Sequence, residues 1–301
     1  MSHKISTTPS ALWIAMTASV LWLSASSSIQ AQGDGSRRGG PPLTAKASAP
    51  IELTGYWTAV ITEDWNLRML TAPKGDFGTG EASAGIKTPG GDFRPPGNIP
   101  YKPAGVEAAM AWNPEKDEAE GNRCKAYGAV GIMRLPTRLH ITWQDDNTLK
   151  MEAELGMQTR LFHFGPPPRG GQMSFTSGLY IPPEPPKLET PAGLEPTLQG
   201  YSVASWTVVG GVGSFERGGS LKVVTTHLKP GYYWKNGMPY TGNAVLTEHF
   251  RVMQLPDNSV WIRFTQMVED PEYLTQPFLI NYLFKKLPNE SGWNPTPCSV
   301  K

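Results

Sequence analysis

Short segments of strict apolar–polar alternation, broken at close intervals by turn residues, constrain this chain more than any other feature. Residues 138–143 (RLHITW) set Leu139, Ile141 and Trp143 against Arg138, His140 and Thr142. Successive side chains of a strand point to opposite faces, so this pattern is a half-buried strand. Asp145, Asp146 and Asn147 then signal a turn, and Leu149, Met151, Ala153 and Leu155 alternate with Lys150, Glu152 and Glu154. Gly156 interrupts, residues 157–164 follow as a third strand, and the three form a meander. Residues 54–63, 200–208, 220–228, 243–254, 259–269 and 277–287 read in the same style, and a short segment at 65–71 joins them. About ten strands joined by turn residues predict a single antiparallel β-barrel or sandwich.

Composition supports that class. Hydrophobic residues make up 39% of the 301, enough for a core, so wholesale disorder is excluded. With 29 Pro and 32 Gly the chain favours turns and loops over long helices. One helix is expected at 104–112, ended by Asn113 and Pro114, and a short second one at 114–120. Pro-rich stretches at 88–103, 165–171 and 181–196 read as long surface loops. A net charge of +1 gives no global basic field, so nucleic acid is not an expected partner.

Residues 1–31 read as a secretory signal peptide: His3 and Lys4, a mostly apolar run at 11–23, then small residues up to Ala31. The run is short for a bilayer span, so no stable membrane insertion is expected after cleavage. Residues 32–50 read as a flexible leader, and 51–301 as one barrel-like domain. A periplasmic or secreted location is the expectation. In an oxidising compartment Cys124 and Cys298, the two cysteines present, are expected to bridge; two buried free thiols are the alternative.

Several short motifs recur in a recognisable order. They are Cys124 to Gly128 (CKAYG), Ile132 to Pro136 (IMRLP), the RLHITW strand, Thr159-Arg160, Gly200 to Trp206 (GYSVASW), Leu221 to Thr226, Thr247-Glu248, Asp270-Pro271, Pro277, and Trp293 to Cys298. In this order, over residues 51–298, the chain resembles a family of secreted bacterial proteins with no assigned activity. The resemblance implies export and a β-rich, calycin-like (lipocalin-like) domain.

Candidate site residues follow from strand faces. Glu248 shares a face with Leu246, Phe250 and Val252, where a carboxylate is costly unless paired. Arg160 shares one with Phe162 and Phe164, so its guanidinium points inward, either to clamp a ligand carboxylate or to pair with Glu248 or Asp270. Arg138 is a second candidate for an anionic group. His140 or His227 with Glu248 would serve as base and acid in a cofactor-free lyase, isomerase or hydrolase, with Arg160 stabilising charge. Tyr232, Trp234 and Tyr240 cluster in a Gly/Pro/Asn-rich turn that reads as a barrel-mouth loop, either able to stack on a ring or packed on the barrel rim. No metal or cofactor is expected: His140, His163, His227 and His249 lack ligand spacing, and nucleotide motifs are missing from the sequence. The leading expectation is a binding protein for a small, partly apolar or aromatic molecule held in a barrel cavity. The alternatives are the enzyme just described and a structural protein with a filled core.

Overall fold

The computed structural model describes residues 44–61, 99–166, 172–173, 180–181, 189–209 and 218–300. The expected signal peptide, the strand at 65–71 and most of the Pro-rich loops lie outside them. Nine strands close into one barrel. In chain order they are β1 (Gly55–Val60), β2 (Arg138–Asp145), β3 (Thr148–Ala153), β4 (Gln158–Phe164), β7 (Tyr201–Val209), β8 (Gly218–Thr226), β11 (Val245–Gln254), β12 (Val260–Glu269) and β13 (Phe278–Lys286). Two hairpins stand apart from the ring, β5 (Gln172–Met173) with β6 (Tyr180–Ile181), and β9 (Gly231–Trp234) with β10 (Met238–Tyr240). The helices are α1 (Pro103–Met110) and α2 (Pro114–Ala119), each starting on a proline, and the Asn113 side chain caps α2 by accepting from Lys116 N at 2.9 Å.

Around the ring every strand neighbours the next barrel strand in sequence, and β1 closes on β13. All joints are antiparallel except β4–β7, which is parallel and pairs Phe162 to Phe164 with Ser202 to Ala204. Parity requires this departure from the all-antiparallel expectation. Strand directions cannot alternate around a closed ring of odd number, so at least one neighbouring pair must run the same way.

Inward positions fill the barrel. Trp57, Leu139, Ile141, Leu149, Met151, Phe162, Leu221, Val223, Phe250, Ile262, Phe264 and Phe284 are all buried to within 1%. At one end the β9–β10 hairpin forms a plug, where Tyr233, Trp234, Met238 and Tyr240 pack with Val130, Leu246, Val268 and Phe278. Gly237 turns this hairpin at φ +79°, and a Cβ there would sit 2.0 Å from Trp112 Cγ.

The packed chain begins before Ile51. Ala45 is buried, its N–H donates to Asn147 Oδ1 at 3.0 Å, and its carbonyl accepts from Trp206 Nε1 at 2.8 Å. A shielded indole N–H needs an acceptor, and the end of the expected leader supplies it.

Cys124 and Cys298 form a disulfide with Cα atoms 5.1 Å apart. It holds the C-terminal segment along the wall, where Thr296 bridges to Leu155 and Asn294 N donates to Glu154 Oε1 at 2.6 Å. Among the described residues no helix is long and apolar enough to cross a membrane. A disulfide and this lack of a spanning helix are compatible with an extracellular or periplasmic protein.

Candidate functional site

Arg160 and Glu248, expected inside the barrel, are there and pair with each other, while Arg160 Nε is buried without a hydrogen-bond partner. Arg160 donates from Nη1 to Glu248 Oε1 at 2.7 Å and from Nη2 to Glu248 Oε2 at 2.6 Å. Nη2 also donates to Thr225 Oγ1 at 3.2 Å, and Thr225 shares a hydrogen bond of 2.8 Å with Ser202. Arg160 and Glu248 are 2% and 0% exposed, so the fork between them is dry. β4 and β11 are not neighbours in the ring, so the pair spans the lumen. Of the two roles open to Arg160, the ion pair with Glu248 is the one the structure builds.

The histidines do not join them. His140 faces outward, stacks on Tyr56 with centroids 4.2 Å apart, and shares a hydrogen bond of 3.2 Å with Glu152. His227 is exposed beyond β8 at φ 55°, with Nδ1 3.0 Å from Thr226 Oγ1. Neither reaches Glu248, because strand alternation puts His140 on the opposite face of the wall and His227 lies in a loop. Arg138 also faces outward and donates to Glu154 Oε1 at 3.0 Å and to the Gly292 carbonyl at 2.6 Å.

The aromatic turn is a plug and not an open stacking platform. Trp234 and Tyr240 are 5% and 1% exposed, and the Arg134 guanidinium lies over the Trp234 ring at 5.0 Å. Tyr232 is half-buried and donates to Asp117 Oδ2 at 2.6 Å. Burial first, and the Asp117 carboxylate second, push its phenol well above the usual range. Gly, Pro and Asn in this segment read as solvent-facing turn chemistry, but Tyr233, Trp234, Met238 and Tyr240 supply too much apolar surface to leave in water.

The described residues leave a hollow at the end of the barrel opposite the plug. Its volume is about 690 Å³, and it is lined by Lys46, Ile51, Leu53, Trp143, Leu149 and Trp206, among others. Trp143 and Trp206 line it and pack with the buried Phe164, the three ring centroids lying 5.1 to 6.3 Å apart. Trp143 and Trp206 are only partly buried, unlike the core below them. Alternation puts Trp143 on the inward side of its strand, and residues 32–50 read as a flexible leader, so that reading gives no sign of this site. The available signal is that Trp143 is the last apolar residue before the Asp145–Asn147 turn, which puts it at a barrel rim. A second hollow of about 270 Å³ lies between Lys125, Tyr232, Glu272 and Tyr273, beside the plug. Among the described residues no cluster of His, Cys, Asp and Glu could hold a metal.

Comparison with family models, with curated proteins and with solved structures finds no match for this chain.

Proposed function

We propose that the protein is an exported binding protein that takes a small, partly apolar or aromatic molecule into the hollow at the barrel end opposite the plug. The observation that carries this reading is the hollow lined by Trp143 and Trp206, with Phe164 packed against both rings. Its size falls within the range of small-molecule pockets, and its lining is about half apolar, with Ile51, Leu53, Trp143, Leu149 and Trp206 set among the polar Lys46, Glu52, Thr54 and Thr142. Two half-exposed indoles over a packed floor offer flat faces to a ring at little cost in ordering. Export follows from the charged start, apolar run and small residues of 1–31, and it suits the disulfide. The acid–base enzyme built on His140 or His227 with Glu248 has no common site to work in. Glu248 is sealed against Arg160, and the two histidines stand outside the lumen.

A thermal-shift screen with aromatic acids, sterols and sugars tests the proposal, because a ligand that binds only the folded state raises its melting temperature. A ring compound should raise Tm and perturb tryptophan fluorescence, and Trp143→Ala should abolish both effects. A shift that survives Trp143→Ala, or a wild-type protein indifferent to every compound, overturns it.

A further inference from the structure

The outer walls of this barrel differ sharply in how they balance charge. On β2 and β3 the cations have acidic partners within the same wall or next to it. Arg138 pairs with Glu154, and Lys150 and His140 both meet Glu152. On β8, β11, β12 and β13 they do not. Lys222, Arg251, Arg263 and Lys285 all point outward and are exposed. Among the described residues none of the four makes an ion pair. The outward positions of these four strands carry a single carboxylate, Glu269, at the far end of β12. Asp257, in the turn between β11 and β12, is the acid that feels Lys285.

Register makes these cations one contiguous patch. Arg251 lies directly opposite Arg263. Lys222 is diagonal to Arg251, because its row partner is His249, and Lys285 is diagonal to Arg263, because its row partner is Trp261. Like charges directly opposed across strands are destabilising. The fold carries that cost at Arg251 and Arg263 although the whole chain has a net charge of only +1. Apolar side chains stand among the cations. Leu283 is the row neighbour of Arg263, Trp261 lies under the Lys285 ammonium at 6.0 Å, and Leu279 is 57% exposed on the same face of β13.

From this juxtaposition we infer that the wall of β8, β11, β12 and β13 docks on an anionic lipid surface. A convex barrel wall meets a plane over a limited area, and the four cations are row or diagonal neighbours within one area of the wall. Lys and Arg can place their heads among lipid phosphates while their stems and the neighbouring Leu279, Leu283 and Trp261 reach the apolar layer beneath. A nucleic-acid strand would instead ask for a groove and a row of stacking rings. The inference is independent of the ligand hollow, which lies at the barrel end.

Co-sedimentation of the folded protein with vesicles tests it. Each basic residue near an anionic surface is worth about fivefold in binding. The protein should bind phosphatidylcholine vesicles containing phosphatidylglycerol and leave pure phosphatidylcholine vesicles unbound. Arg251→Gln with Arg263→Gln should weaken binding about 25-fold without lowering Tm, since the change removes a repulsion. Lys222→Gln with Lys285→Gln should weaken it similarly through a separate pair of positions. Millimolar inorganic phosphate should not compete; if it does, the patch is a site for small anions. Equal binding to neutral vesicles, undiminished binding by both double variants, or equal affinity for a single-stranded oligonucleotide overturns the inference.

Discussion

Arg160 on β4 and Glu248 on β11 meet across the barrel lumen through two parallel hydrogen bonds of 2.7 and 2.6 Å, with both side chains almost wholly excluded from water. A fork of this kind is strong in attraction and costly in desolvation, so its net worth depends on both partners being present.

Removing one partner should therefore be far worse than removing both. Arg160→Met leaves a buried, uncompensated carboxylate and should cost about 3–5 kcal/mol. The double variant Arg160→Met with Glu248→Leu should recover most of that loss. Urea unfolding of the two singles and the double gives the coupling directly. Additive losses would mean that the two side chains do not act as a pair.

The disulfide closes a loop over a sequence separation of 174. Cys124→Ser with Cys298→Ser should lower stability by up to about 5 kcal/mol in the chain-entropy account. It should also free the C-terminal segment, whose Trp293 packs edge-on against Tyr56 and His140. Limited proteolysis should cut the variant within that segment while sparing the oxidised wild type. A tail that stays protected would show that Glu154 and Leu155 suffice to hold it.

Two outward histidines set an expectation for acid. Partial burial holds His163 below its ordinary pKa of 6.5, with Asp145 opposing, and partial burial and Lys222 lower His249. A depressed histidine favours the folded state when neutral, so the unfolded chain takes up more protons as pH falls. Stability from these groups is complete above about pH 7.5 and declines as pH drops through 6.5. Melting temperature should fall between pH 7.5 and pH 5.5, and His163→Asn with His249→Asn should flatten the fall. An equally steep fall in the double variant would assign it to other groups.

The plug depends on one glycine. Gly237→Ala asks for a positive φ with a side chain and drives its Cβ into Trp112, so a loss of about 1–3 kcal/mol is expected. Loss of near-ultraviolet circular dichroism from Trp112, Tyr233 and Trp234 would report the loosened plug. An unchanged spectrum and unfolding midpoint would refute the role given to this turn.

Much of the barrel was legible in the sequence because alternation reports which face of a strand is buried. The inward set Leu139, Ile141 and Trp143, and the meander through 164, lie where the pattern places them. Arg160 and Glu248 were readable as costly inward charges, and Asp270 as the other possible partner. Asp270 instead receives hydrogen bonds from Thr241 N and Oγ1, 2.7 and 2.9 Å long. The parallel β4–β7 joint was not legible, since period two says which side faces in and nothing about direction. The catalytic grouping mixed faces: the pattern that put Glu248 inside put His140 outside. Whether Trp234 and Tyr240 stack on a ligand or pack on the rim was not legible, because turn residues at Asn236 and Gly237 disguise a buried hairpin. The hollow at Trp143 and Trp206 escaped because a strand-end tryptophan reads like a core one, and its exposure is decided by where the barrel stops.

An odd-numbered ring also has a preferred place to part. The β11–β12 joint aligns ten residue pairs, whereas the parallel β4–β7 joint aligns three, so the cylinder is in effect a broad ribbon buttoned at a narrow seam. The Arg160 fork reaches from one margin of that seam, past β7 and β8, to the body of the ribbon. It holds the margin from inside where the ladder is shortest, so the charge hidden in the lumen serves as the clasp of the closed cylinder.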